Sequence, residues 1–255
     1  MDLASIQRST TAVRHGALAY VKRAPLTYSW LVVLLVTTVM QHHIPSRWLW
    51  VLLERNSTNL RHLATDPVRV LIESLLWIDG WHWWPYALAF TLFLAPAERW
   101  LGRLRWLGVG LGSHVVATYL SEGYLYWKIQ EGVSSPRLIN VRDIGVSYFV
   151  VGIVGVLAYH IPSRWRRIYV MAALVVFGVA LALQPDFSQL GHFTALLIGL
   201  ASYPLTRSRQ REHTADSVPA PAAQQNDVVR VRRGTPRGTA PNEANHRWEP
   251  VRLRR

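Results

Sequence analysis

Three polar side chains in otherwise apolar stretches are candidates for nucleophilic catalysis. Ser147 follows Gly145 and Val146 at the start of one apolar run, while His192 and His82 stand in two others. A serine hydroxyl attacks a carbonyl carbon only when a neighbouring base takes its proton, and histidine is the most frequent such base. Ser147 and His192 are therefore a candidate nucleophile and base. The default alternatives for Ser147 are a hydroxyl bonded to its own helix and a small packing residue.

The composition indicates that these runs lie in a membrane. The chain has 255 residues, is 50% hydrophobic and carries a net charge of +13. The apolar residues come in blocks, and residues 144–161 contain no Asp, Glu, Lys or Arg, which is long enough for a tilted membrane-spanning helix. Basic residues lie between the blocks and in the tail, a pattern typical of membrane proteins, and we predict a bilayer rather than nucleic acid as partner. The absence of Cys excludes disulfides and thiolate chemistry.

The blocks predict an all-α, polytopic fold with six membrane spans. A long first outside loop with interfacial helices occupies residues 41–80. We divide the chain into a basic N-terminal lead (1–25), a membrane domain (26–205) and a disordered basic tail (206–255). The predicted spans cover about residues 26–40, 81–97, 106–127, 144–161, 168–183 and 187–205.

The charges predict that both termini are cytoplasmic. With six spans and the N-terminus inside, the two short inside loops hold six arginines, opposed only by Glu98. We therefore expect a multi-pass protein of the plasma membrane. The tail holds 11 arginines and 5 acidic residues. The simplest role of the tail is to fix the orientation of the protein in the membrane through its positive charge. A more specific role is to attract anionic lipid headgroups.

This topology brings the three polar residues to one depth. The second, fourth and sixth spans all run from outside to inside, so His82, Ser147 and His192 lie roughly 3 to 9 Å from the outer ends of their helices. Polar side chains within a membrane usually turn toward the protein interior or a wet cavity. We therefore expect the hydroxyl and the two imidazoles to face one another.

Small residues predict that the fourth and sixth spans touch. Gly152 and Gly155 lie in the fourth span, and Ala195 and Gly199 lie four residues apart in the sixth. Such residues let helix backbones approach closely in lipid. His192 shares a helix face with Ala195 and Gly199. Close contact between the two spans would carry His192 to Ser147.

These motifs resemble those of the rhomboids, a family of six-span intramembrane serine proteases. The family carries G-x-S-G at the outer end of its fourth span, and residues 145–147 match its first three positions. It carries H-x-x-G-x-x-x-G in its sixth span, where His192 and Gly199 match and Ala195 replaces the middle glycine. Gly155, eight residues after the serine, falls on a further family glycine.

The second span extends the resemblance. Rhomboids carry H-x-x-x-N there, with a Glu twelve residues after the Asn, and His82 and Glu98 keep the sixteen-residue separation. The long first outside loop is also a rhomboid feature. The resemblance covers about residues 27–204 and is nearest to the divergent rhomboid-like proteins of actinobacteria.

The resemblance implies a mechanism for the candidate site. Ser147 would attack a peptide carbonyl of a membrane-anchored protein near the outer face, and His192 would act as base and then as acid. The N–H of Ser147 and His82 would hold the oxyanion, with Gly145 of the serine motif as a supporting residue. The resemblance implies neither a cofactor nor a metal. Tyr86, in the place of the family Asn, could donate through its hydroxyl.

Several positions depart from the family pattern. Tyr148 replaces the glycine that follows the serine, and its ring would crowd the start of the helix beside the nucleophile. Tyr86 replaces an oxyanion donor whose loss typically lowers the rate about 10²- to 10³-fold. Val151 stands where the family often packs an aromatic ring against the base. The main alternative to a protease is therefore a catalytically inactive relative, a pseudoprotease, that binds transmembrane partners.

Two further alternatives have less support. A transporter is disfavoured because the spans contain no charged relay at the midplane and no internal repeat. A metal site formed by His82 and His192 would have two imidazole ligands and no nearby carboxylate, which is fewer than zinc usually takes.

Overall fold

The computed structural model describes residue 16 and residues 19–80 and 82–206, and every regular element within them is helical. The prediction of an all-α fold is confirmed for this part of the chain. The predicted tail, from residue 207 onward, and most of the predicted lead lie outside the described residues.

Ten α-helices, labelled in chain order, lie between residues 25 and 201. A π-helical segment, Phe90–Leu94, joins the fifth and sixth of them into one continuous rod. Short 3₁₀ helices lie at Ser74–Leu76, Pro136–Asn140 and Tyr203–Thr206. The α-helices are α1 Pro25–His43, α2 Ser46–Arg55, α3 Leu60–Thr65, α4 Pro67–Glu73, α5 Trp84–Ala89, α6 Ala95–Leu101, α7 Arg103–Gln130, α8 Val146–Leu157, α9 Ser163–Leu183 and α10 Phe187–Ala201.

Local sequence sets many of these boundaries. Proline, whose fixed φ suits the first helical turn, opens α1 and α4. The side chain of Asn59 accepts from the backbone N–H of His62 at 3.0 Å and caps α3. Asp186 caps α10 in the same way, through a 2.7 Å bond from the N–H of Gln189. These caps fix where α3 and α10 begin.

A helix lies at each of the six predicted spans, although the number that cross a membrane stays a prediction. Within the described residues, only α9 is both long and apolar enough to span by length and composition. Helices α8 and α10 are apolar but shorter. Helix α9 has no fully buried residue, and apolar side chains along it such as Ile168, Val175 and Val179 are exposed.

The segment predicted to be the first outside loop contains α2, α3 and α4, so helices are present where the sequence predicts them. Its C-terminal end is bonded to α1, because the Trp30 indole donates to the carbonyl of Leu75 at 2.7 Å and the Gln41 amide to that of Ile78 at 3.1 Å. The position of these helices relative to a bilayer remains a prediction.

A cluster of aromatic rings forms the centre of the bundle. The ring of Phe149 in α8 packs edge-on against Trp30 of α1 and Trp106 of α7, with ring centroids 4.8 and 4.9 Å apart. Phe90, in the π-helical segment, packs against Trp30 at 4.9 Å. This cluster joins four helical segments and holds α8 at the centre of the fold.

A buried carboxylate fixes α6, at the C-terminal end of the rod, to α1. Glu98 of α6 is 3% exposed, and its two oxygens accept the backbone N–H groups of Leu26 and Thr27 at 3.0 and 2.8 Å. Backbone N–H groups in the first turn of a helix have no partner within the helix. Glu98 therefore caps the start of α1.

Candidate active site

Ser147 and His192 lie side by side in the structure. The Nε2 atom of His192 is 2.9 Å from Oγ of Ser147, and both side chains are half-buried. When the imidazole carries its proton on Nδ1, Nε2 accepts a hydrogen bond from the serine hydroxyl. This is the contact that a serine needs to transfer its proton to a base during attack.

The two residues meet because α8 and α10 pack backbone to backbone. A Cβ on Gly155 would lie 2.6 Å from the carbonyl oxygen of Leu196, and a Cβ on Gly199 would overlap the carbonyl oxygen of Gly152. Ala195, fully buried, lies on the same interface. Small side chains at these positions therefore bring the helix axes close enough for a hydroxyl and an imidazole to touch.

Gly145 makes room for a third helix. A Cβ at position 145 would collide with the imidazole ring of His114 in α7. That ring is 1% exposed, and its Nε2 lies 3.0 Å from the carbonyl oxygen of Leu71. The glycine two residues before Ser147 thus lets α7 pack under the start of α8, where His114 is a buried, hydrogen-bonded packing residue.

The side chain of Tyr148 does not crowd Ser147, contrary to the expectation from the sequence. It points into the bundle, is fully buried and packs edge-on against His192, with ring centroids 5.1 Å apart. Gly191 leaves the space that the ring fills, since a Cβ there would lie 2.5 Å from Cζ of Tyr148. An aromatic ring against the base is therefore present, but it comes from the residue after Ser147 and not from position 151.

Hydrogen bonds that join Ser57 and Thr58 to the backbone of Asp143, together called the latch below, fix the chain before α8. The main chain N–H of Asp143 donates to the Ser57 hydroxyl at 2.6 Å, and its carbonyl accepts from the N–H of Thr58 at 3.0 Å. Ser57 and Thr58 are fully buried, and both hydroxyls lie 3.1 Å from the same carbonyl. The latch holds the turn that leads into Ser147.

The carboxyl group of Asp143 is also buried. Only 6% of the residue is exposed, and burial raises the pKa of Asp143 from 3.8 to about 7, with the nearby charge of Asp186 adding to the effect. Tyr148 and Thr58 act in the opposite direction, because polar hydrogens beside the carboxylate favour its charged form. Burial dominates, so a neutral carboxyl group is favoured there up to about neutral pH.

Several buried polar atoms near this turn have no hydrogen-bond partner among the described residues. They include both carboxylate oxygens of Glu122, Oδ2 of Asp143 and the hydroxyl of Tyr148. The Tyr148 hydroxyl is directed toward Asp143, Ser121 and Ser188 without a hydrogen bond of standard geometry to any of them. Buried groups of this kind are commonly bridged by ordered water.

The two residues expected to hold the oxyanion are placed differently from the prediction. His82 is exposed and precedes α5, which begins at Trp84, so it is not the second residue of its helix. Tyr86 is half-buried and packs against the aromatic core. Neither side chain forms a hydrogen bond with Ser147 or His192 in the described part of the chain. The helix starts later than expected because Pro85 favours the first turn of a helix.

The two histidines considered as metal ligands, His82 and His192, both lie in the part of the chain that the structure describes. No group of three or more His, Cys, Asp or Glu side chains there is arranged to hold a metal ion. The pair formed by His82 and His192 is not such a group.

These features define a helical protein with a serine and a histidine in contact near one end of two packed helices. A family model for rhomboid-like proteins matches residues 19–212. The chain therefore belongs to the rhomboid-like family, which confirms the resemblance drawn from the motifs and implies a membrane protein. Searches of curated proteins and of solved structures found no match.

Sequence reasoning missed three residues that shape the site. Gly191 stands directly before His192, and only the structure reveals that it accommodates Tyr148. Ser57 and Thr58 lie almost ninety positions from Asp143 in the sequence. The sequence shows Ser57, Thr58 and Asn59 as a run of polar residues, but only the structure shows that they are buried and therefore need hydrogen-bond partners.

Proposed function

We propose that this chain is an intramembrane serine protease that cleaves membrane-anchored proteins near the outer face of the membrane. The observation that carries the proposal is the 2.9 Å contact between Nε2 of His192 and Oγ of Ser147. Within a chain of the rhomboid-like family, this pair provides the nucleophile and the base of a peptidase.

The proposed reaction has two stages. The Ser147 hydroxyl gives its proton to Nε2 of His192 as Oγ attacks the carbonyl carbon of the scissile peptide bond. The resulting tetrahedral intermediate collapses when the imidazolium returns the proton to the leaving amine. Water, activated by the same imidazole, then hydrolyses the acyl-enzyme and releases the second product.

The start of α8 supplies part of the oxyanion site. Ser147 is the second residue of this helix, and N–H groups in the first turn of a helix are free to donate to a ligand. The positive end of the helix dipole adds to the stabilisation of a negative oxygen at this point. His82 and Tyr86 would have to move toward Ser147 when a substrate binds in order to contribute.

We further propose the orientation and location given by the charges. Both termini face the cytoplasm, the spans cross the plasma membrane six times, and Ser147 lies near the outer face. The basic tail stays on the inner side, where anionic headgroups would attract its arginines.

A second candidate function is that of a pseudoprotease that binds transmembrane partners. It is favoured by the position of His82, which is exposed and ahead of α5. A site without its oxyanion donors binds a peptide but cleaves it slowly, because each missing donor typically lowers the rate about 10²- to 10³-fold.

Labelling of the purified protein with a fluorophosphonate serine probe separates the two functions. A protease is expected to be labelled, and the Ser147→Ala and His192→Ala variants are expected to lose the label. Ser163→Ala and His43→Ala are matched controls, because both residues are exposed and remote in sequence from the candidate pair. A well-folded wild-type protein that takes up no label would favour the pseudoprotease.

A further inference from the structure

A cavity of about 500 Å³ opens at the end of the bundle remote from Ser147. Helix α8 carries the chain about 15 Å from Ser147 to its last residue, Leu157, and the cavity lies just past that end. Its volume falls within the usual range for small-molecule sites. The residues lining the cavity, called the basic cavity below, are Arg23, Pro96, Arg99, Trp100 and His160.

Two arginines give the basic cavity its charge. The salt bridges within the described residues are Arg69–Glu73 and Arg142–Asp79, so neither Arg23 nor Arg99 has a carboxylate partner there. Glu98 is adjacent in sequence to Arg99, but both of its oxygens accept backbone N–H groups of α1. The two guanidinium groups are exposed and remain available to an external anion.

The walls around these charges are held in place by packing. The Arg99 guanidinium lies over the ring of Tyr20, 4.8 Å from the ring centroid, and the Tyr20 hydroxyl donates to the carbonyl of Thr91 at 3.1 Å. The rings of Trp100 and His160 pack together with centroids 5.0 Å apart, and Trp100 is only 8% exposed. A site whose side chains are already fixed loses less entropy when a ligand binds.

We propose that the basic cavity binds a phosphate group, carried either by an anionic lipid headgroup or by a small soluble phosphate. A guanidinium group presents paired N–H donors that match two phosphate oxygens, and two of them can hold one phosphate from two sides. The faces of Trp100 and Pro96 provide an apolar wall for the carbon chain attached to the phosphate. Basic pockets between membrane helices are known to bind lipid headgroups in this manner.

The phosphate site is independent of the proposed protease activity, because it lies at the opposite end of α8 from Ser147. Only the assignment of the basic cavity to one face of the membrane depends on the proposed topology, which would put the cavity at the cytoplasmic face. A failure of either proposal would leave the other intact.

Native mass spectrometry of the full-length protein in detergent tests the site directly. The protein is mixed with phosphatidylglycerol, phosphatidylcholine or inorganic phosphate, and the bound adducts are counted. The wild type is expected to retain phosphatidylglycerol, or to bind inorganic phosphate, in clear preference to phosphatidylcholine. Retention of phosphatidylglycerol without phosphate binding would identify the lipid as the source, and binding of inorganic phosphate that displaces the lipid would identify a soluble ligand.

A double variant and a matched control localise the binding. Arg23→Gln combined with Arg99→Gln is expected to weaken binding at least about tenfold, because two charge-assisted contacts are lost. Arg164→Gln combined with Arg167→Gln removes the same charge from exposed residues at the same end of the bundle, and should bind as the wild type does. Equal losses in the two double variants would overturn the proposal. A wild type that binds neither phosphatidylglycerol nor inorganic phosphate in preference to the zwitterionic phosphatidylcholine would also overturn it.

A conservative variant distinguishes weaker binding that is caused by lost recognition from weaker binding that is caused by unfolding. Arg23→Lys combined with Arg99→Lys keeps both charges and loses the paired donors, so it is expected to bind more weakly than the wild type and more tightly than the Gln variant. Unchanged thermal unfolding of all variants shows that the fold is retained, since both arginine side chains are exposed. Lys variants no better than the Gln variants in a folded protein would contradict recognition by charge.

Discussion

Gly191 and Tyr148 fit together so closely that a Cβ at position 191 would lie 2.5 Å from both Cζ and the hydroxyl oxygen of the tyrosine. The two residues flank the candidate pair, because Gly191 precedes His192 and Tyr148 follows Ser147. A large side chain next to the serine is thus matched by the smallest one next to the histidine. The match positions the tyrosine ring against the imidazole.

Gly191→Ala should therefore displace the ring of Tyr148 and disturb His192. We expect the variant to lose about 1–3 kcal/mol of stability, the usual range for overpacking a core, and to lose labelling by a serine probe. The same change in a Tyr148→Gly background should be nearly neutral, because the space is then empty. Thermal unfolding of the two single variants and the double variant measures the coupling. If the stability changes of the two single variants simply added in the double variant, the close fit of the two residues would be contradicted.

Gly199→Ala should separate α8 from α10. The new Cβ would overlap the carbonyl oxygen of Gly152, which is backbone and cannot rotate away. We expect both lower stability and loss of the 2.9 Å contact between Ser147 and His192, read out as lost probe labelling. Gly112→Ala in α7 is the control, since a Cβ there meets nothing within 4 Å, and it should keep or slightly raise stability. A labelled, stable Gly199→Ala protein would contradict the backbone contact.

The buried carboxyl group of Asp143 should make stability depend on pH. Because its folded pKa of about 7 lies above its ordinary value of 3.8, the folded state binds the proton more tightly than the unfolded state does. Stability should therefore fall as the pH rises from about 4 to about 7, by at most about 1.4 kcal/mol per pH unit, and then level off.

The measurement is thermal unfolding of the wild type and Asp143→Asn between pH 5 and pH 8. The variant keeps the backbone latch to Ser57 and Thr58 but has no group to titrate, so its stability should change less with pH. Glu122, Asp186 and Tyr148 interact electrostatically with Asp143 and remain in both proteins. Identical pH profiles for the two proteins would rule out Asp143 as the titrating group.

Removal of one acceptor from Glu98 should loosen the start of α1. In Glu98→Gln the new amide nitrogen cannot accept the N–H of Leu26 or Thr27, and a buried donor left without a partner costs about 1–3 kcal/mol. Glu131→Gln makes the same change at an exposed position and should be neutral. Unfolding midpoints of the two variants provide the comparison, and equal midpoints would argue against the cap.

The sequence by itself determined the helical class, the positions of the helices and the identity of the candidate pair. The grouping of apolar residues in blocks indicates helices in a membrane, because a membrane-spanning segment must form its backbone hydrogen bonds internally. The spacing of Gly152, Gly155, Ala195 and Gly199 indicates which helices meet, since small residues recur on the touching faces. Both signals depend on residues close together in the chain, so they are visible in the amino-acid sequence alone.

Only the tertiary structure decided how the side chains around the pair are arranged. A Tyr at position 148 suggests crowding when it is viewed along α8 alone, but the space for its ring is supplied by Gly191 on another helix. The latch between Ser57 and Asp143 joins positions distant in the chain. His82 has the spacing of its family motif, yet it lies before the helix that was expected to carry it. Packing between helices sets these features, because the shape of a cavity depends on residues contributed by all of its walls.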